Sequence, residues 1–145
     1  MNARSLFSLF KQAVKFGAVG VLNTALDWMI YFALTHWIGF FTAMPVAAKA
    51  ISYSVGVLNS FFINRAWTFR SQAGAARALP LFAAANLLGL LINTGTLHLT
   101  MNELHLPELV ALVLATGASL GWNFTASKWL VFRARPQKKP WQGSQ

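Results

Sequence analysis

The chain has 145 residues, 56% of them hydrophobic and only 10% charged, with a mean hydropathy of +0.49. A soluble domain carries about a quarter charged residues, and one this short cannot hide so much apolar surface in a single core, so lipid must take the excess. The net charge of +9 lies in segments between and beyond the apolar stretches, which points to anionic headgroups and not to nucleic acid; the absence of Cys excludes disulfides and thiolate ligands.

The first fifteen residues place Leu6, Phe7, Leu9, Phe10 and Val14 among Arg4, Lys11 and Lys15. That mixture reads as a short interfacial helix, or equally as a frayed terminus. A spanning helix needs about 20 mostly apolar residues, and its amides must be paired internally. Four stretches qualify. The first covers about residues 16–38 and holds Asp27; it is too long, and too acidic at its centre, for a cleaved signal peptide. The second covers about 44–64 and holds Lys49. The third (about 79–101) and fourth (about 109–128) have uncharged interiors. The expected membrane domain spans residues 16–134, and 135–145 read as a disordered tail.

Arg4, Lys11 and Lys15 precede the first span, and Arg65, Arg70 and Arg77 flank the link between the second and third. Lys128, Arg133, Arg135, Lys138 and Lys139 end or follow the fourth. The remaining links hold no Lys or Arg, and one holds Glu103 and Glu108. The positive-inside rule therefore predicts both ends in the cytoplasm.

The two halves resemble each other. Gly20-Val21-Leu22-Asn23-Thr24 recurs loosely as Leu90-Leu91-Ile92-Asn93-Thr94, and the run from Ser60 to Arg70 recurs from Asn123 to Arg133. The expected fold is all-α: two parallel, repeated helical hairpins related by an axis along the membrane normal. Duplication for packing alone would leave the same trace.

Each span has one face of small and polar residues. Gly20, Asn23, Thr24, Asp27 and Tyr31 recur every three or four residues on the first. Gly56, Ser60 and Asn64 do so on the second, Asn86, Gly89 and Asn93 on the third, and Thr116, Ser119, Asn123 and Ser127 on the fourth. Helix packing in lipid favours such faces without any further function. Asp27 is less easily assigned to packing, because an acid near mid-span costs about 2.5–3.5 kcal/mol on insertion scales. By helix rise Lys49 lies about 5 Å from it in depth, so the two are expected to pair or to share a polar cavity. Otherwise Lys49 snorkels outward and Asp27 is a protonated packing residue. Arg65 and Lys128, equivalent in the repeat, could surround an anionic headgroup, with Asn64 and Ser127 bonding a phosphate oxygen. Topology anchoring explains the same two bases.

The sequence holds no paired carboxylates in one span, no phosphate-binding glycine loop and no metal-ligand spacing among His36, His98 and His105. It therefore predicts no enzyme, no metal and no cofactor.

The run from Phe16 to Asp27 is similar to the opening of the GtrA-like family. Ser60 to Phe69 resembles its second signature, and Asn123 to Phe132 its closing one, with Lys128 where Arg is common. The resemblance covers about residues 14–134. It implies a bacterial inner-membrane protein that moves a polyprenyl-phosphate-linked monosaccharide to the periplasmic leaflet. There the sugar joins surface polysaccharides; a membrane glycosyltransferase supplies the lipid-linked sugar inside. On this reading Arg65 and Lys128 capture the phosphate. Asn23, Asn93, Asn123 and Asp27 hold the sugar hydroxyls, and Lys49 receives the phosphate near the outer side. Four helices enclose little volume, so a parallel homodimer or other homo-oligomer is expected. The alternatives are a small proton-coupled multidrug-type exporter and a non-transporting scaffold for a glycosyltransferase.

Overall fold

The computed structural model describes residues 3–133; the tail and its bases Arg135, Lys138 and Lys139 lie outside the described residues. The described chain is helical without strands. The first helix, α1, is continuous over Ala3–Trp37, so the segment expected as a short interfacial helix runs on unbroken into the helix of the first span. No Pro interrupts the run, and its glycines are tolerated in a helix that lipid surrounds. A single turn, α2 (Gly39–Ala43), links it to α3 (Pro45–Ile63), which opens on a Pro whose missing N–H costs nothing at a first-turn position. Then come α4 (Ala75–His98) and α5 (Glu108–Ala126); Glu108 sits favourably at the positive end of α5's dipole.

Wide π turns extend α3, α4 and α5 over Asn64–Thr68, Leu99–Glu103 and Ser127–Val131. With these turns, four helical stretches are long and apolar enough to cross a membrane: Arg4–Trp37, Pro45–Thr68, Ala75–Glu103 and Glu108–Val131. At about 1.5 Å per residue, even the 24-residue stretches exceed the roughly 30 Å of hydrocarbon. Most of their large apolar side chains point outward, as a lipid-facing surface requires.

α1 packs along α3, and α4 along α5, giving two hairpins. They join chiefly through one buried cluster that includes Phe61, Phe82, Ala126 and Phe132. The rings of Phe69 and Phe132 stack there with centroids 5.1 Å apart. Phe61 meets Phe132 at 5.7 Å, while Phe124 meets Phe69 at 5.9 Å. One constant offset relates Phe61 to Phe124, Phe69 to Phe132 and Asn64 to Ser127. Burial follows that offset too: Ala48 and Ala111, Ser52 and Ala115, and Thr68 and Val131 are all buried. The two loops at opposite ends share a different device. Arg70 (φ 47°) and His105 (φ 50°) each take a left-handed conformation just after a π turn, a place usually given to Gly.

Candidate functional site

Polar side chains gather between α1 and α3. Lys49 donates to one carboxylate oxygen of Asp27, and Ser52 Oγ donates to the other at 2.6 Å. Ser52 is fully buried, and the Lys49 ammonium lies 5.9 Å from the Tyr31 ring centroid. About one helical turn along α1, Asn59 Nδ2 donates to Asn23 Oδ1 at 2.7 Å, and Asn23 Nδ2 donates to the Val19 carbonyl at 2.8 Å. Gly56 faces α1 at this level: a Cβ there would meet the Asn23 carbonyl at 3.7 Å, an ordinary contact distance. Asn23, Asp27, Gly56 and Ser60 border a cavity of about 200 Å³, which Asn86 of α4 also lines.

The pairing expected of Asp27 and Lys49 is thus present. Ser52 and Asn59, which complete the ladder, were not singled out from the sequence. Their signal is the helical spacing of Lys49, Ser52, Gly56 and Asn59 along one face of α3.

The expected equivalence of Asn23 and Asn93 gives way to another. The offset that relates Asn64 to Ser127 relates Asn23 to Asn86, and Asn86 Nδ2 donates to the Phe82 carbonyl at 2.8 Å just as Asn23 donates to Val19. Asn93 is half-buried on α4 and does not line the cavity. Asn123 is also outside it: its amide rests on the bare backbone of Gly89, with Oδ1 buried and unpartnered.

Arg65 and Lys128 each have a partner within the chain. Arg65 Nε donates to the Ala73 carbonyl at 3.0 Å, closing its own loop. Lys128 Nζ donates to Gln12 Oε1 at 2.8 Å, tying α5 to α1. Asn64 and Ser127 are buried inside the packing, where Asn64 donates to Ser60 Oγ at 3.2 Å. At the same end a second concavity, about 410 Å³, lies between the first turns of α1 and the π turn after α3. Arg4, Lys11, Lys15 and Arg70 line it. Among the described residues no group of three His, Asp or Glu could hold a metal ion.

Residues 15–132, which include both hairpins and the cleft, match the GtrA/DPMS transmembrane domain family. The chain belongs to this family. This GtrA/DPMS domain is 27% identical over 125 residues to a bactoprenol-linked glucose translocase of Shigella phage SfII, covering 86% of this chain and 98% of that protein. It is 29% identical over 131 residues to a prophage bactoprenol-linked glucose translocase homolog of Escherichia coli (strain K12), with the same coverage of 86% and 98%. A third GtrA/DPMS relative, the uncharacterized membrane protein YngA of Bacillus subtilis (strain 168), is 30% identical over 131 residues, covering 87% of this chain and 85% of that one.

Proposed function

We infer that this chain is a flippase carrying a polyprenyl-phosphate-linked monosaccharide from the cytoplasmic to the periplasmic leaflet, where the sugar is added to cell-surface polysaccharide. The relatives named as translocases of bactoprenol-linked glucose support the substrate class. The observation that carries the mechanism is the polar cleft of α1 and α3, an ion pair and an amide ladder set inside spans that otherwise face lipid.

The chemistry needs little more than this. The prenyl tail can stay in hydrocarbon throughout, so only phosphate and sugar require a polar path. Asn23, Asn59, Ser60 and Asn86 offer amide and hydroxyl partners for sugar hydroxyls. Asp27 and Lys49 would exchange part of their mutual pairing for the passing headgroup, the carboxylate accepting from a hydroxyl and the ammonium donating to the phosphate. Because each partner compensates the other, the charges cost less to keep in the membrane than either would alone.

In this reading the end bearing Arg4, Lys11, Lys15, Arg65, Arg70, Arg77, Lys128 and Arg133 faces the cytoplasm, in keeping with the positive-inside rule. The reading of the two hairpins as parallel repeats is supported by the reciprocal contacts among Phe61, Phe69, Phe124 and Phe132. The host membrane is the bacterial inner membrane, and a membrane glycosyltransferase loads the lipid. A parallel homodimer would shield the open side of the cleft. The chain acts by binding and moving its substrate, without bond-making chemistry.

Leaflet protection in proteoliposomes tests the reading. Polyprenyl-phosphate-glucose is placed in both leaflets and exposed to a membrane-impermeant reagent that modifies the sugar. Nearly complete modification with the wild type, against about half in empty liposomes because two leaflets share the lipid equally, is the expected result. Half protection with the wild type would point to the scaffold reading. Proton-coupled cation efflux without lipid flipping would point to the exporter.

A further inference from the structure

We propose that the groove between the N-terminal turns of α1 and the π turn after α3 is a phosphate site for a polyprenyl phosphate headgroup. The identity of the lipid rests on the flippase reading; the groove itself rests on its own geometry. Arg4, Lys11 and Lys15 recur at helical spacing along one face of α1 and line the groove, and Arg70 closes it from the loop after the π turn. Among the described residues, no acidic side chain lines the groove with them. The chain's three acids are Asp27, which is paired with Lys49, and Glu103 and Glu108, which flank the link between α4 and α5. Four like charges held around one concavity of about 410 Å³ repel one another until an anion enters.

A separate observation points to the same ligand. Thr68 borders the groove, is 4% exposed, and its Oγ1 has no hydrogen-bond partner. A buried hydroxyl left unpaired loses free energy, and a phosphate oxygen in the groove would accept a hydrogen bond from it. Trp67 forms a half-exposed wall with the Lys15 ammonium 4.6 Å from its ring centroid, so an aromatic face stands beside the charges. Such a face suits a sugar ring or the first carbons of a phosphoester.

The surroundings favour a lipid-borne phosphate over a free one. Leu6, Phe7 and Phe10 are exposed on the same turns of α1, giving a lipid tail an apolar surface next to the groove. From Lys15 to Gly20, at the edge of the α1–α3 cleft, is about 7.5 Å by helix rise. A headgroup held here therefore stands at the mouth of the polar path.

The test is native mass spectrometry of the full chain in a neutral detergent, titrated in separate arms with a polyprenyl monophosphate and with phosphatidylglycerol. Inorganic phosphate is the competitor. Expected is one retained polyprenyl phosphate, bound about tenfold more tightly than phosphatidylglycerol. Combining Lys15→Gln with Arg70→Gln should weaken it by about tenfold or more, since charge-assisted bonds are lost. Thr68→Val, which keeps the shape and removes the hydroxyl, should weaken it by about threefold. Arg77→Gln and Arg133→Gln, bases at the same end but outside the groove, should bind as wild type does. An equal loss in Arg77→Gln would overturn the site in favour of a diffuse basic field. Equal retention of phosphatidylglycerol, or displacement by inorganic phosphate, would overturn its assignment to a polyprenyl headgroup. Binding is read without translocation, so a chain that binds as expected yet does not flip keeps this site and loses the flippase reading. A chain that flips while the groove variants bind normally does the reverse.

Discussion

The two hairpins bury residues at matching offsets and differ in what fills the matching positions. In the first, α1 and α3 enclose Asp27, Lys49, Ser52 and the Asn23–Asn59 pair. In the second, the matching positions are Leu90, Leu112, Ala115, Asn86 and Trp122. Where Asn59 donates to the Asn23 side chain, Trp122 Nε1 donates at 3.0 Å to the Ala85 carbonyl, a backbone group that a helix leaves in place. Where Gly56 opens room that a cavity occupies, Gly89 makes room that Asn123 fills. The first hairpin holds most of the polar groups able to change partners; in the second, Asn86 apart, they are committed to packing. On the proposed reading, the first hairpin supplies the path and the second supports it.

The strongest way to break this comparison is to exchange the polar groups. Asp27→Asn should lower flipping by about tenfold or more, because an intramembrane Lys without its acid carries a cost of about 2.5 kcal/mol. Leu90→Asn, at the matching position, should leave the rate within about twofold, as expected of a change away from the working groups. Leaflet protection at several time points measures both.

The glycines give the next contrast. A methyl at Gly89 would lie only 2.8 Å from Asn123 Cγ, so the buried amide must swing away, at about 1–3 kcal/mol. Asn123→Ala should restore most of that stability in the double variant. Gly56→Ala meets atoms at ordinary contact distances and should shift stability by no more than about 0.5 kcal/mol. Unfolding in mixed micelles reads each value.

Smaller effects follow from the cross-helix bonds. Trp122→Phe should cost about 1 kcal/mol through the lost cross-helix bond to the Ala85 carbonyl. Asn59→Leu should cost about half as much, in the range found for hydrogen bonds between membrane helices, because the cavity leaves Asn23 other partners. The smallest shift is expected at the two left-handed residues. His105→Gly should gain about 0.5 kcal/mol by relieving its backbone. Arg70→Gly should relieve the same strain yet weaken binding of polyprenyl phosphate.

Much of this was legible in the residues. Composition fixes four spans, charge bias groups the bases, and helix rise brings Lys49 to the depth of Asp27. The rest depended on tertiary relations that the residues do not show. Local likeness of Asn-Thr pairs suggested Asn93, whereas the fold obeys a constant register that selects Asn86. Arg65 and Lys128 looked available for a ligand, because no sequence pattern shows that the Ala73 carbonyl and Gln12 already hold them. The basic groove was hidden for a different reason. It forms only because α1 continues unbroken from Ala3, which carries Arg4 and Lys11 up against the π turn of α3.

In the proposed mechanism the headgroup passes along the α1–α3 face of the first hairpin, with Asn86 of α4 at its edge. The chain contains no Cys, so single introduced thiols can be read without background. Thr24→Cys lines the cleft, and Leu87→Cys occupies the matching position on α4. The most direct measurement is their labelling in proteoliposomes by a membrane-impermeant maleimide, with and without polyprenyl-phosphate-glucose. The account predicts that the thiol at position 24 labels and is protected by the lipid-linked sugar, while that at position 87 does not label. Equal labelling at both, or no protection at position 24, would contradict it.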